Sequence, residues 1–251
     1  MLRKKLVVSG DSYTAGTKPY AKQMSPAAES IGPLWPEYLG EMLDMDVVNV
    51  GLSGRGNEFI YSSVVDKLAS SKDVGLSIAM WNFPGKIFGP NVWRHRDDDN
   101  AVANVRLNLY GRTLTDVRPY LNLSARKAIK NQNMVSIEHD FLKSLRWFNA
   151  FQNYCENNKI PYMQCSAFNI ISNDMVFLMS NHPIFYTMRE DHFYGWPMFE
   201  QIGGFNMSDK LNEVDPEMKK LRVSDEDTHP NTDGHKLMAE LLYNHYVSID
   251  A

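Results

Sequence analysis

The chain has 251 residues, of which 43% are hydrophobic and 22% charged, enough apolar material for a sizeable core and too much for a disordered chain. Its 26 basic and 30 acidic residues leave a net charge of −4, which excludes the basic footprint of a nucleic-acid binder and offers no polybasic membrane anchor. No apolar run approaches the ~18 residues of a membrane span.

The first apolar run, Leu6-Val7-Val8, is too short for the core of a secretory signal, so a cytoplasmic chain is the expectation. Cys155 and Cys165 have neither the number nor the spacing of a disulfide framework or a zinc site, and are expected to be ordinary core thiols. At ~150 residues per domain the length predicts one large domain carrying insertions.

Leu6 to Ser9 reads as a buried strand that stops at Gly10-Asp11-Ser12. Trp35-Pro36 opens a helix with Leu39, Met42 and Leu43 at helical spacing. Val47 to Val50 is a second strand, broken by Gly51, Gly54 and Gly56. Asn57 is placed to cap a helix whose stripe is Phe59, Ile60, Val64 and Leu68. Val74 to Trp81 is the third strand. The longest helix runs from about 137 to 157, with Ile137, Phe141, Leu145, Phe148, Phe151 and Cys155 on one face. Pro161 to Ala167 supplies a fourth strand. A helix after Thr232 buries Leu237, Met238, Leu241 and Leu242.

Short apolar strands alternating with amphipathic helices define βαβ units and a parallel sheet covered on both faces. Two stretches break this rhythm and read as insertions. One covers about 84–135, with Arg94-His95-Arg96 next to Asp97-Asp98-Asp99; Arg94, Arg96, Arg106 and Arg112 either meet an anionic glycan or belong to a solvated loop of mixed charge. The other covers about 170–224 and is rich in aromatics: Phe185, Tyr186, Phe193, Tyr194, Trp196, Phe199 and Phe205 form either a sugar-stacking wall or a satellite core. His182, Asp191 and His192 lack the helical pairing of metal ligands, so no metal is expected.

Two places carry candidate chemistry. Gly10-Asp11-Ser12-Tyr13 follows the first strand, at the edge where open α/β sheets bind ligands, and a serine on a tight turn there can expose its hydroxyl. Asp225-Glu226-Asp227-Thr228-His229-Pro230-Asn231 precedes the last helix, and a histidine beside carboxylates has the makings of a general base. Read without the other, each has a plain alternative, a turn and a solvated acidic loop. A phosphate-binding module using the Gly10 to Gly16 turn is a further alternative, and it leaves His229 without a role.

Together with Asn49-Val50-Gly51-Leu52-Ser53-Gly54, these segments resemble the blocks of the SGNH (GDSL-type) hydrolase family. The resemblance implies a three-layer α/β/α sandwich with a mostly parallel, flavodoxin-like sheet. It further implies Ser12 as nucleophile, His229 as base, and Gly54 and Asn82 in the oxyanion hole. Two blocks depart from the family pattern. The third strand ends Met80-Trp81-Asn82-Phe83 without the family's glycine and aspartate, so Asn82 is either the donor or a turn residue. The position three residues before the histidine holds Glu226, while Asp227 stands two before it. Asp227 is favoured as the acid, because an aspartate-x-His-Pro form resembles phage-type members.

The implied activity is hydrolysis of a carboxylic ester, such as an O-acetyl group on carbohydrate, with no cofactor. The expected partner is a small ester or acylated glycan, with neither nucleic acid nor membrane. A non-catalytic, virion-associated protein on the same scaffold is the alternative.

Overall fold

A computed structural model describes residues 3–15, 32–53, 55–82, 87–88, 106–107, 137–168, 173–224 and 227–250, with backbone alone for 87–88, 106–107, 137–140, 173–175 and 250. Five strands, β1 (Lys5–Ser9), β2 (Asp46–Asn49), β3 (Val74–Trp81), β6 (Tyr162–Ser166) and β7 (Phe193–Tyr194), form one sheet in the order β2-β1-β3-β6-β7, every pair parallel. Between β3 and β6 in sequence, β4 (Ile87–Phe88) and β5 (Arg106–Leu107) make a separate antiparallel pair.

The register sets Val7 opposite Val48 on one side and Ser77 on the other, which makes β1 a central strand. Leu6, Val7 and Val8 are all fully buried. That explains why the strand is continuously apolar: alternate side chains enter two different cores and neither face meets water.

On one face Val7, Ala79 and Trp81 pack with α3 (Asn57–Ser70) and α4 (Ile137–Asn157). The α4 residues Phe141, Leu145, Phe148, Phe151 and Cys155 are all buried there, and Trp81 lies against Phe148 with ring centroids 4.7 Å apart. On the other face Leu6, Val8, Leu76, Ile78 and Met80 pack with Trp35 and Leu39 of α2 (Trp35–Met42) and with Met238 and Leu242 of α7 (Thr232–Asp250). The result is the three-layer α/β/α arrangement that the pattern of strands and helices predicts.

The stretch that breaks the helical rhythm after residue 170 is more ordered than its sequence suggests. It contains α5 (Asn173–Ser180), three 3-10 turns, α6 (Met207–Val214) and the edge strand β7, which pairs through Phe193 and Tyr194 with Gln164 and Cys165. A two-residue strand is too short to show a period of two. Phe193 and Phe199 are buried and join the α4 core, Phe193 against Phe148 and Phe199 against Phe141, whereas Tyr186 is 74% exposed. Apart from β4 and β5, the insertion read at about 84–135 lies outside the described residues, as do Arg94, Arg96, Arg112 and the side chain of Arg106. Among the described residues, no helix is long and apolar enough to cross a membrane.

Candidate active site

Because the strands are parallel, their carboxyl ends share one edge, and the order β2-β1-β3 places the switch of winding direction at β1 and β3. The turns leaving β1, β2 and β3 meet there. Gly10 leaves β1 in a space only glycine fits, since a Cβ would lie 2.0 Å from Thr14 Oγ1. Asp11 then starts the one-turn helix α1 (Ser12–Ala15): its Oδ1 accepts the Tyr13 N–H at 3.0 Å, and its carbonyl accepts the N–H groups of Thr14 and Ala15. Ser12 is therefore the first helical residue, and among the described residues nothing accepts its N–H.

The turn after β2 runs beside this one. Leu52 N–H donates to Gly10 O at 3.0 Å, Asn49 Oδ1 accepts the Gly51 N–H at 3.0 Å, and Asn49 Nδ2 donates to Thr14 O at 2.8 Å. Asn49 thus ties the end of the serine helix to the second turn.

His229 arrives from the far end of the chain. Its loop is a narrow hairpin, with Val223 N–H donating to His229 O at 2.9 Å and Asn231 N–H to Leu221 O at 3.0 Å. At the tip Ser224 and Asp227 close a turn, and Asp227 Oδ1 accepts the His229 N–H at 3.1 Å, an Asx turn. The same oxygen lies 2.5 Å from His229 Nδ1. An acid only two residues before the histidine reaches the ring because the Asx turn curls the carboxylate back over it. Glu226, the other candidate acid, lies outside the described residues.

With Nδ1–H given to Asp227, the Nε2 lone pair faces Ser12 Oγ at 2.8 Å, so the serine hydroxyl donates to it. Ser12 is 8% exposed, while the side chains of His229 and Asp227 are 34% and 29% exposed, so the constellation opens to solvent from the histidine side. A buried hydroxyl on an open imidazole is an arrangement for moving a proton off oxygen during attack on a bound carbonyl.

Of the two residues read as oxyanion donors, Gly54 lies outside the described residues. Asn82 directly follows β3 and is fully buried. Its Nδ2 donates to Asp11 Oδ2 and, at 3.1 Å, to Arg55 O. Both acceptors engage this amide, so to meet an oxyanion it must release one of them.

Asn57, read from sequence as a helix cap, is not one. The cap position is Gly56, and the Asn57 side chain instead binds the main chain of Asn82 and, at 3.1 Å, Ser144 Oγ on α4. No sequence signal separates that role from a cap, since both ask for asparagine at a helix start.

The remaining candidates take ordinary partners. His182 Nδ1 accepts the Ile184 N–H at 3.2 Å, and Asp191 is held by Arg189, its carboxyl kept well below the usual range by that guanidinium. Cys155 and Cys165 are buried, and burial pushes both thiols upward.

No family model matches the chain, and no curated protein does. Several solved structures are similar along nearly its whole length. A chain described as a lipolytic protein of the G-D-S-L family from Desulfitobacterium hafniense is 18% identical, with a TM-score of 0.46, covering 96% of this chain and 99% of its own. The psychrotrophic esterase EstA from Pseudoalteromonas sp. is 11% identical, with a TM-score of 0.48, covering 98% of this chain and 97% of its own. TesA is 8% identical, also with a TM-score of 0.48, covering 98% of this chain and 99% of its own. At these identities and scores the matches assign no chemistry to this chain.

Proposed function

We propose that the chain is a serine ester hydrolase of the SGNH type. The observation that carries the reading is the line Asp227–His229–Ser12, with contacts of 2.5 Å and 2.8 Å between side chains 217 residues apart in sequence at its serine end. Ser12 Oγ attacks the ester carbonyl and forms a C–O bond while its proton passes to His229 Nε2. Asp227 holds the ring and stabilises the imidazolium. The tetrahedral oxyanion is met by the Ser12 N–H, with Gly54 N–H and the Asn82 amide as further donors. Collapse expels the alcohol, which takes the proton from His229, and leaves an acyl-Ser12. Water, deprotonated by the same imidazole, attacks this ester and releases the acid.

The substrate class proposed is a small acyl ester, an O-acetyl group on carbohydrate being the leading form, and no cofactor enters the scheme. Purified protein assayed with p-nitrophenyl acetate and labelled with a fluorophosphonate tests the proposal. Turnover and an adduct on Ser12 support it. A folded protein with neither is a non-catalytic scaffold, the reading that the occupied Asn82 amide favours.

A further inference from the structure

Arg222 is 3% exposed, and its guanidinium spends its donors on three separate segments of the chain. Nη1 donates to Tyr13 Oη and to Thr228 O, both at 3.0 Å. Nη2 donates to Ser208 O at 3.2 Å, to Ser208 Oγ at 3.0 Å and to Asn212 Oδ1 at 2.6 Å. None of these partners is a carboxylate. Among the described residues no carboxylate pairs with this guanidinium, and burying a cation without an ion pair is costly. What the guanidinium supplies is a rigid planar fork that bridges several acceptors at once.

The acceptors show what is bridged. Tyr13 immediately follows Ser12, and Thr228 immediately precedes His229. Tyr13 also lies against the His229 ring, with centroids 5.8 Å apart, and against Phe168 at 5.4 Å. The main chain of Arg222 is itself locked to the histidine hairpin, where Asn231 Nδ2 donates to Arg222 O at 3.0 Å. The hairpin is thus internally zipped; its Leu221 N–H donates to Asp215 Oδ2 at the end of α6, and the Arg222 side chain ties it further to α6 and to the nucleophile's helix.

We propose that Arg222, acting through Tyr13, is a positioning residue that sets the separation of Ser12 Oγ and His229 Nε2. The inference rests on the ester-hydrolase reading. Without the fork the hairpin keeps its own hydrogen bonds but drifts against α1, and a displacement of about 1 Å at reacting groups costs on the order of 100-fold in rate. Substrate binding, which needs no fixed distance between these two atoms, changes little. Lysine cannot substitute, because one ammonium cannot span Tyr13 Oη, Thr228 O and Asn212 Oδ1 in the same geometry.

The test compares wild type, Arg222→Lys, Tyr13→Phe and the double variant at 25 °C. The readouts are kcat and KM with p-nitrophenyl acetate, the rate of fluorophosphonate labelling, and the thermal midpoint. Arg222→Lys is expected to lower kcat and the labelling rate together by about 30-fold or more with KM within about threefold. Tyr13→Phe, which removes one oxygen and keeps the ring, is expected to lower both by about fivefold or more. The double variant falls no further than Arg222→Lys alone, because both act through one path.

If Arg222→Lys does not fold, Tyr13→Phe carries the test. Folded variants with kcat and labelling within about twofold of wild type would overturn the inference, as would losses that multiply in the double variant. A wild-type protein that neither turns over nor labels overturns the hydrolase reading and this inference with it. Active wild type with unaffected variants overturns this inference alone.

Discussion

Asn57 holds both main-chain polar groups of Asn82: its Oδ1 accepts the Asn82 N–H at 2.8 Å, and its Nδ2 donates to the Asn82 carbonyl at 3.1 Å. The two residues are 2% and 0% exposed, so water cannot take over either bond. Through Asn82 the contact reaches the Asp11 carboxylate, and from there the helix that carries Ser12.

Asn57→Ala removes both of these bonds in the interior, where the loss of a buried polar partner costs about 1–3 kcal/mol. A stability loss of about 3 kcal/mol in urea unfolding is the expected outcome, with hydrolysis slowed by about tenfold as Asn82 and Asp11 lose their fixed positions. A variant as stable and as active as wild type would separate Asn57 from the site.

Asp227→Asn tests the acid. The amide fits the same turn but presents the wrong partner to Nδ1, which favours the tautomer that cannot accept from Ser12. The expected loss in kcat is on the order of 10³–10⁴, with the fold retained by circular dichroism, whereas Glu226→Gln keeps activity within about threefold. The reverse ranking would move the role of acid to Glu226.

His235 gives the fold a pH dependence of its own. It is 1% exposed, and burial, assisted by the nearby His229, lowers its pKa from 6.5 to about 3. The unfolded chain therefore takes up a proton between these values that the folded chain refuses, so stability falls as pH drops from 6.5 towards 3 and is fully present above 6.5. At pH 4.5 the loss from this residue is on the order of 2–3 kcal/mol. His235→Gln is expected to flatten the decline in urea midpoint between pH 7 and 4.5, and an unchanged slope would assign the acid sensitivity to other groups.

Both thiols are buried, and their pKa values are displaced upward. Titration with a disulfide reagent is expected to find neither in the native protein and both in guanidinium. Fast reaction of either thiol in the native state would contradict its placement in the core.

Elements with long, strongly periodic patterns are legible in the sequence. Val74–Trp81 and Ile137–Asn157 have the boundaries that the apolar spacing predicts, because each element is decided by burial along its whole length. The meeting of Ser12, Asp227 and His229 at one sheet edge follows from the parallel topology and from where their segments stand in the chain. The roles of Asn57 and Arg222 are not legible there. A single buried asparagine or arginine leaves no period in a sequence, and its role exists only once Asn82, Tyr13 and Thr228 are brought beside it. The strand Phe193–Tyr194 escaped for a similar reason, being specified by the exposed edge of β6 and the core under it more than by its own two residues.

The most direct measurement is the mass of the intact protein after incubation with a fluorophosphonate, run on wild type and on Ser12→Ala. The account predicts one adduct per chain on wild type, mapped to the peptide containing Ser12, none on Ser12→Ala, and an ester turnover that disappears with the adduct while the thermal midpoint stays put. Full ester turnover by a folded Ser12→Ala protein, or an adduct that maps elsewhere, would contradict it.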